Sequence, residues 1–206
     1  MNRALLAAVV IAGVLAGVGA ASHFLRRAEA PPALEHATAY PEPRLLPPFQ
    51  LMDQRGAPFD RERLQGRWTF LFFGFVNCPD ICPTTLATLA GAQKSLADLP
   101  EAEQPGVVLV SVDPGRDTPP VLGEYVAHFG PEIVGATGRP EAIETLTRAL
   151  GVAFFIGPED DAGNYAVDHT AAVFLVDPEG RVAALFNTPH EAATIARDFR
   201  RIVGSG

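Results

Sequence analysis

Cysteine is scarce in this chain: only two are present among 206 residues, at positions 78 and 82. So few cysteines exclude a small secreted domain held together by several disulfides. Basic residues are also few, 16 against 24 acidic residues, and the net charge is −8. This balance predicts no nucleic-acid partner, because nucleic-acid binders need basic patches that neutralise phosphates. Only 19% of the residues are charged and 48% are apolar, which excludes a disordered chain.

Charge is absent from one stretch near the start, positions 4–22. A membrane-spanning helix needs about 17–25 apolar residues, so residues 1–27 are predicted to form an uncleaved membrane anchor. A cleavable signal peptide is the alternative, although its apolar stretch is usually only about 7–15 residues. The uniformly apolar character, unlike that of a mitochondrial presequence, indicates a bacterial membrane protein. Arginines flank the stretch on both sides, so the positive-inside rule does not decide its orientation.

Prolines are concentrated in the segment that follows the predicted anchor. Six of them lie between residues 31 and 48. Because proline lacks a backbone N–H and favours extended geometry, residues 28–48 are predicted to form a semi-rigid linker. The remaining residues, 49–206, have the length of a single domain.

Apolar runs alternate with helical patterns in residues 49–206. The run from Trp68 to Val76 is typical of a central strand that is covered on both faces. The other predicted strands are residues 107–112, 133–136 and 152–156, followed by a hairpin of residues 172–176 and 182–186. Helices are predicted to begin at Pro119, at Pro140 with Gly151 at its end, and at Pro189 after a Thr188 cap. This alternation predicts an α/β sandwich with a central mixed sheet flanked by helices.

The two cysteines directly follow the predicted central strand, in the segment Cys78-Pro79-Asp80-Ile81-Cys82-Pro83. The residue before a proline disfavours the α conformation, so both cysteines are predicted on an irregular loop with Pro83 as the first helical residue. Thiols beside a helix N-terminus have a lowered pKa. Such thiolates suit thiol–disulfide exchange or a soft metal such as copper(I), zinc or an iron–sulfur cluster. A plain disulfide or two buried structural cysteines are the alternative.

Two thiolates leave the coordination of a metal incomplete, so a third ligand is expected among the five histidines. The only methionines are Met1 and Met52, which excludes a methionine-type copper site. His169 differs from the other histidines because the adjacent Asp168 is a candidate to orient its imidazole; a role in the turn is the alternative for Asp168. The residues alone leave His169 open between a ligand and an exposed loop histidine. The others are assigned to the membrane boundary, the linker or helix surfaces: His23, His36, His128 and His190.

The segment Cys78–Leu86 resembles the copper loop of the SCO/SenC family. Three further stretches agree with that family in order and spacing: Ser111-Val112-Asp113-Pro114 with Arg116-Asp117-Thr118-Pro119, Gly138-Arg139-Pro140-Glu141, and Val167-Asp168-His169-Thr170. The resemblance extends from about Phe49 to the C-terminus, and the anchor and linker match the family's layout. It implies a thioredoxin-like fold with an added β-hairpin, and copper ligands at Cys78, Cys82 and His169. Separately, Asp113, Arg116 and Asp117 are candidates for a partner-facing surface patch, with turn and capping roles as the alternative.

The resemblance also implies a function, because family members bind copper and help to assemble the dinuclear copper centre of cytochrome c oxidase. We therefore expect a copper chaperone on a single-pass anchor in the bacterial inner membrane, with its C-terminal domain in the periplasm. Its expected partners are the copper-site subunit of the oxidase and an upstream copper donor. One alternative is a thiol–disulfide oxidoreductase that reduces the cysteines of that subunit through Cys78 and Cys82. Another is a peroxide-reducing enzyme of the same fold, which does not need His169.

Overall fold

The structure is a computed structural model of the chain and describes residues 11–14, 17, 34–160 and 165–204. The chain divides into two units, Met1–Pro32 and Ala33–Gly206. In the first unit, residues 11–14 and 17 are helical, and the rest of the predicted anchor, residues 1–27, lies outside the described residues. Over the described ranges, no helix has both the length and the apolar character needed to span a membrane.

The second unit alternates strands and helices, as the sequence pattern predicts. Its strands are β1 (Ala37–Leu45), β2 (Gln50–Asp53), β3 (Pro58–Asp60), β4 (Thr69–Gly74), β5 (Gly106–Ser111), β6 (Val134–Thr137), β7 (Phe154–Ile156), β8 (Val167–His169), β9 (Val173–Val176) and β10 (Arg181–Phe186). Its helices are α1 (Ile81–Ser95), α2 (Pro119–Ala127), α3 (Pro140–Leu150) and α4 (Ala192–Val203).

Eight of these strands form one mixed sheet, in the order β1-β10-β9-β4-β5-β6-β2-β3. β5 pairs in parallel with β4 and β6, whereas the other neighbours are antiparallel. All six residues of β4 are buried, which confirms the central strand predicted from the apolar run. A mixed sheet flanked by helices is the predicted thioredoxin-like α/β arrangement.

Several local predictions are confirmed. β9 and β10 pair as the expected hairpin, and Gly180 takes the left-handed conformation (φ +77°) in the turn between them. α2 begins at Pro119, although the Thr118 hydroxyl makes no capping hydrogen bond. α3 begins at Pro140 and ends at Gly151, whose φ of +69° is the left-handed C-cap that glycine favours.

The remaining two strands, β7 and β8, form a separate two-stranded antiparallel sheet. Phe154 pairs with His169, and Phe155 pairs with Asp168. His169 therefore lies at the end of a strand and not on the loop that the sequence predicts. A strand of only three residues between short irregular segments carries too little periodicity to be read from sequence.

The last helix starts later than predicted. α4 begins at Ala192, and Glu191 before it has extended backbone (φ −127°, ψ 126°). The prediction of a helix from Pro189, capped by Thr188, is therefore wrong. Tertiary contacts outweigh the local signal, because the half-buried His190 is hydrogen-bonded through Nε2 to the carbonyl oxygen of Ala171 at 2.7 Å.

The main sheet begins inside the segment that the prolines predict as a linker. β1 pairs with β10 from Ala37↔Phe186 to Leu45↔Arg181, with an irregularity between Ala39 and Arg44. Its position at the sheet edge explains why prolines are tolerated within it, since the outer face of an edge strand needs no ladder donors. The predicted linker of residues 28–48 thus contributes one strand to the sheet.

Candidate metal centre

Both cysteines lie where the central strand passes into the first long helix. α1 begins at Ile81, so Cys82 is already helical and Pro83 lies within the first turn. The prediction that Cys82 lies on an irregular loop is therefore wrong, whereas Cys78 does precede the helix. Proline is tolerated in this turn because the first four N–H groups of a helix have no intrahelical partner.

Cys82 packs against the strand that precedes it. Its side chain is fully buried, and a Cβ added to Gly74, the last residue of β4, would lie only 2.8 Å from Cys82 Sγ. Glycine is needed at this position because any side chain would displace the sulfur. The backbone N–H of Cys82 donates to Cys78 Sγ at 3.4 Å. Cys78 is 8% exposed and is therefore the more accessible of the two thiols.

His169 approaches the cysteines from the separate β7–β8 sheet. Its Nε2 lies 3.2 Å from Cys82 Sγ, although the two residues are 87 positions apart. Its Nδ1 lies 3.1 Å from the carbonyl oxygen of Thr170. A carbonyl oxygen only accepts hydrogen bonds, so Nδ1 carries the ring proton and Nε2 directs its lone pair at the sulfur. The rings of Phe72 and Phe75 contact the imidazole edge-on, with centroids 5.9 Å and 5.8 Å away.

These three side chains form a cluster of metal-ligand type. Their ligand atoms, two Sγ and one ring nitrogen, all lie within 4.8 Å of one another. Within the described part of the chain, no second group of three or more His, Cys, Asp and Glu side chains comes together in this way. Two sulfurs and an imidazole suit a thiophilic ion such as copper(I) or zinc. A cavity of about 430 Å³ is lined by Cys78 and His169, so the cluster is reached from that side.

Burial determines the protonation state of the Cys82 thiol. Burial raises the pKa of the Cys82 thiol, and the side chain of Cys78 raises it further. The lowered thiol pKa predicted from the helix N-terminus is therefore wrong for Cys82, because the cost of desolvating a thiolate outweighs the helix dipole. In the metal-free protein, Cys82 is a neutral thiol at pH 7 that can donate its S–H to His169 Nε2. Metal ions deprotonate coordinating thiols, so metal binding releases this proton.

His169 is held in the neutral form that binds metal ions. Burial lowers the pKa of its imidazole, and this outweighs the opposing effects of the Thr170 carbonyl and the Asp168 charge. Asp168 is exposed, and its carboxylate acts on the ring through its charge. The ring is oriented instead by the hydrogen bond that its Nδ1 donates to the Thr170 carbonyl oxygen, which corrects the orienting role predicted for Asp168.

Two of the three residues predicted as a partner-facing patch, Asp113 and Asp117, are buried in the loop between β5 and α2, which corrects that prediction for them. Asp113 and Asp117 are only 1% and 0% exposed. Asp117 Oδ2 accepts hydrogen bonds from Ser111 Oγ at 2.6 Å and from the backbone N–H of Val76 at 3.0 Å. Arg116 is partly exposed and its Nε forms an ion pair with Asp113. Asp117 thus holds the backbone that leads into the cysteine segment, through Val76.

Sequence reasoning did not find two residues of this site. Gly74 is visible in the sequence as a glycine inside an apolar strand, which is a sign of close packing. Tyr165 carries no local signal, since its importance lies in a hydrogen bond from its hydroxyl to Asp113 Oδ1 across 52 positions, at 2.7 Å.

The other described histidines lie away from the cluster. Each forms a hydrogen bond through a ring nitrogen to a backbone carbonyl oxygen: His36 to Pro189, His128 to Glu124 and His190 to Ala171. His23 lies outside the described residues. The structure therefore selects His169 among the described histidines, as the family resemblance implies.

Comparison with known proteins places these residues in a family. A family model described as SCO1/SenC matches residues 37–204. Over 154 residues the chain is 35% identical to the SCO2-like protein of Rickettsia prowazekii, covering 74% of each chain. Over 157 residues it is 32% identical to the mitochondrial SCO2 homolog of Mus musculus, covering 76% of this chain. It spans 62% of that relative, which is less than two thirds of its length.

Solved structures of related proteins agree with the family match. The fold is similar to that of Arabidopsis thaliana ScoI with copper bound, with a TM-score of 0.73 and 33% identity over 79% of this chain and 99% of that chain. It is equally similar to yeast Sco1 with copper bound, with a TM-score of 0.73 and 32% identity over 80% of this chain and 91% of that chain. The β4–α1 cysteines and the β8 histidine are thus set in a fold that holds copper in other proteins.

Proposed function

The chain belongs to the SCO1/SenC family, and on this basis we propose that it is a copper chaperone whose ligands are Cys78, Cys82 and His169. Its cargo is copper, held as Cu(I) or Cu(II). Its recipient is the copper-site subunit of cytochrome c oxidase, where it helps to assemble the dinuclear copper centre. An upstream copper donor loads it.

The observation that carries this proposal is the convergence of two sulfurs from the β4–α1 junction with an imidazole nitrogen from β8. Their mutual separation of at most 4.8 Å is short enough for one ion to contact all three. Thiolates favour Cu(I), and the imidazole also makes the site tolerant of Cu(II). Relatives whose structures contain copper support the choice of metal.

The exposure of the ligands suits transfer to a recipient. Cys82 is fully buried behind the site, whereas Cys78 and His169 line the cavity. Three ligands leave room in the coordination shell for one group from a partner, so that an incoming thiolate or imidazole joins before a ligand of this chain leaves. The cavity side is therefore the side on which the recipient binds.

A copper titration tests the ligand set. The full chain is purified in mild detergent, reduced, and titrated with Cu(I) against a chromophoric chelator and with Cu(II) by absorption. We expect one copper per chain with thiolate-to-copper charge-transfer absorption. Cys78→Ser and Cys82→Ser should each abolish that absorption. His169→Ala should weaken Cu(I) binding by at least about tenfold, which corresponds to about 1.4 kcal/mol of binding free energy.

The matched control for the histidine is His128→Ala, because His128 is exposed and its ring bonds to the Glu124 carbonyl oxygen in α2, away from the cysteines. This variant should bind copper as the wild type does. If His169→Ala and His128→Ala bound copper with equal affinity, the three-ligand site would be refuted. A reduced wild-type protein that retains no copper would refute the chaperone function itself.

The second candidate function is thiol–disulfide oxidoreductase. Both cysteines are free, and their sulfurs lie within 4.8 Å of each other. In such a reaction, Cys78 attacks a disulfide of the oxidase subunit and Cys82 then displaces the reduced target, leaving a Cys78–Cys82 disulfide. The raised pKa of Cys82 disfavours this second step in the metal-free protein. The Cys78–Cys82 disulfide should still form in glutathione buffers in His169→Ala, which separates this activity from copper binding.

We also propose that residues 1–27 anchor the chain in the bacterial inner membrane, with residues 33–206 in the periplasm. The uncharged stretch at positions 4–22 and the family's layout support this placement. Fusing alkaline phosphatase, which is active only in the periplasm, after Gly206 tests the orientation. High activity in the membrane fraction is expected, and activity confined to the soluble fraction would contradict the anchor.

A further inference from the structure

The ligands of the proposed site come from two sheets that share no hydrogen-bonded ladder. Cys78 and Cys82 belong to the β4–α1 junction of the main sheet, whereas His169 belongs to the two-stranded β7–β8 sheet. An isolated two-stranded hairpin is marginally stable in water. Side-chain contacts must therefore hold the hairpin at the distance at which His169 meets the sulfurs.

One set of contacts is suited to this task. We call Asp113, Arg116 and Tyr165 the clasp. The two carboxylate oxygens of Asp113 are divided between the other members: Oδ2 accepts from Arg116 Nε at 2.5 Å, and Oδ1 accepts from the Tyr165 hydroxyl at 2.7 Å. Arg116 Nη1 donates to the Tyr165 carbonyl oxygen at 3.2 Å, and its guanidinium lies 3.7 Å from the centre of the Tyr165 ring. Every pair within the clasp is in contact.

The clasp joins the two halves of the site. On one side, Tyr165 lies four residues before His169 and two residues before the start of β8. On the other side, the Arg116 guanidinium lies 6.0 Å from the centre of the Phe75 ring. Phe75 is three residues before Cys78, and its ring contacts the His169 ring. A planar guanidinium can stack on rings and bond to a carboxylate and a carbonyl at once, and lysine cannot do this.

The base of the clasp is buried and hydrogen-bonded. Asp113 is 1% exposed, and its backbone carbonyl accepts hydrogen bonds from the N–H groups of Arg116 at 3.2 Å and Asp117 at 2.9 Å. Asp117 in turn accepts from the backbone N–H of Val76 at 3.0 Å. The same five-residue loop therefore fixes the cysteine segment through Asp117 and the histidine hairpin through Arg116.

We propose that Arg116 is a positioning residue of the copper site: through the clasp it docks the β7–β8 hairpin so that His169 Nε2 faces the two sulfurs. Arg116 does not touch copper. It acts by keeping the imidazole ligand in place before copper arrives, so that copper binding does not have to order the hairpin. This inference rests on the proposed function for its copper readout, but docking of the hairpin is measurable without copper.

The test uses Arg116→Met, Arg116→Lys and Tyr165→Phe in the full chain, each alone and combined with His169→Ala. In the metal-free proteins, amide hydrogen exchange is measured for the hairpin, for example Gly157 and Thr170, whose N–H groups bond within it. We expect about tenfold faster exchange there in Arg116→Met, a smaller increase in Tyr165→Phe, and unchanged exchange in β4. Unchanged hairpin exchange in both variants would overturn the docking role.

With copper, Arg116→Met and Arg116→Lys should weaken Cu(I) binding by about 10–100-fold, the usual effect of removing a residue that supports a ligand. Nitrogen hyperfine coupling in the Cu(II) spectrum should weaken as in His169→Ala. In the His169→Ala background, neither change should weaken binding further, because no imidazole is left to position. An equal loss in both backgrounds would overturn the proposal.

Arg148→Met is the matched control, since Arg148 is 80% exposed and its one ion pair within the described residues is with Glu144; it should resemble wild type in every measurement. If Arg116→Met does not fold, the hairpin exchange and copper affinity of Tyr165→Phe test the proposal, since this variant removes one hydroxyl and leaves the charges and the ring. If the wild-type protein binds no copper, the proposed function fails, and hydrogen exchange alone supports or overturns the clasp.

Discussion

The side chain of Cys82 is fully buried. Its sulfur lies against the backbone of Gly74 on one side and 3.2 Å from His169 Nε2 on another. Both neighbours contribute to the chemistry of the thiol, because the packed strand excludes water and raises its pKa, while the imidazole offers an acceptor for its proton. A buried ligand beside an accessible one is what allows a site to retain a metal ion and still present it to a partner.

Gly74→Ala tests this packing. The new methyl group would lie 2.8 Å from Cys82 Sγ and 3.2 Å from Leu109 Cδ1, so one of them must move. Overpacking a core costs about 1–3 kcal/mol, and we expect a loss of this size in urea unfolding together with weaker Cu(I) binding. Gly123→Ala in α2 is the control, because its methyl group would make only an ordinary contact, 3.5 Å from Gln54 Cβ. Equal copper affinity in both variants would show that Gly74 does not set the sulfur position.

At the scale of elements, one buried carboxylate of the last helix binds the backbone of the chain where it enters the first strand. Asp198 of α4 is fully buried and accepts hydrogen bonds from the successive backbone N–H groups of Glu35, His36 and Ala37, at 2.9–3.0 Å. These amides lead directly into β1. The carboxylate thus fixes the point at which the chain enters the sheet, in a stretch whose proline content alone indicates a linker.

Asp198→Asn should weaken this attachment. The amide keeps one acceptor oxygen and places an NH₂ group against backbone donors, so we expect a loss of about 1.5–3 kcal/mol in the free energy of unfolding. Asp98→Asn is the control, since Asp98 is an exposed partner of Arg200 and its loss should leave stability nearly unchanged. Equal unfolding midpoints for the two variants would contradict the role of Asp198.

The same carboxylate gives stability a pH dependence with a definite sign. Burial alone would raise the pKa of Asp198, but the three backbone donors outweigh it and the pKa is lowered. The contribution of Asp198 is therefore complete above its unfolded pKa of about 3.9 and is lost as pH falls through the lower folded value. Urea unfolding measured at falling pH should show this loss beginning below about pH 4 in the wild type, and Asp198→Asn should lack that component.

At the scale of the whole molecule, the domain begins before the boundary that the sequence predicts. The sheet starts at Ala37, the compact unit starts at Ala33, and the family match starts at residue 37, whereas the sequence places the domain at residues 49–206. β1 also covers the edge of β10, which would otherwise be open for pairing with other chains.

Two truncations distinguish these boundaries. A chain of residues 33–206 should unfold at the same urea midpoint as the full protein, because it keeps β1 and the partners of Asp198. A chain of residues 46–206 should lose at least about 3 kcal/mol, since Asp198 is left as a buried charge without its backbone donors. Equal stability of the two truncated chains would place the domain start after β1.

Much of the framework of the fold is readable from local sequence. The apolar run that forms β4 predicts a strand buried on both faces, and Pro140 and Gly151 predict the two ends of α3. The helix signal at Thr188-Pro189 fails for a physical reason, since contacts of His190 with the body of the protein outweigh a local capping preference. The strand β8 is missed because three residues show no periodicity.

The sequence by itself determined that the two cysteines follow the central strand and that strands alternate with helices, because these features depend on residues that are neighbours in the chain. Tertiary structure alone decided that Cys82 is buried, that Thr170 rather than Asp168 orients the imidazole, and that Arg116 and Tyr165 support the site. The reason is that desolvation and long-range hydrogen bonds depend on which distant segments pack together. His169 lies 87 positions beyond Cys82, and only the folded chain brings the two to 3.2 Å.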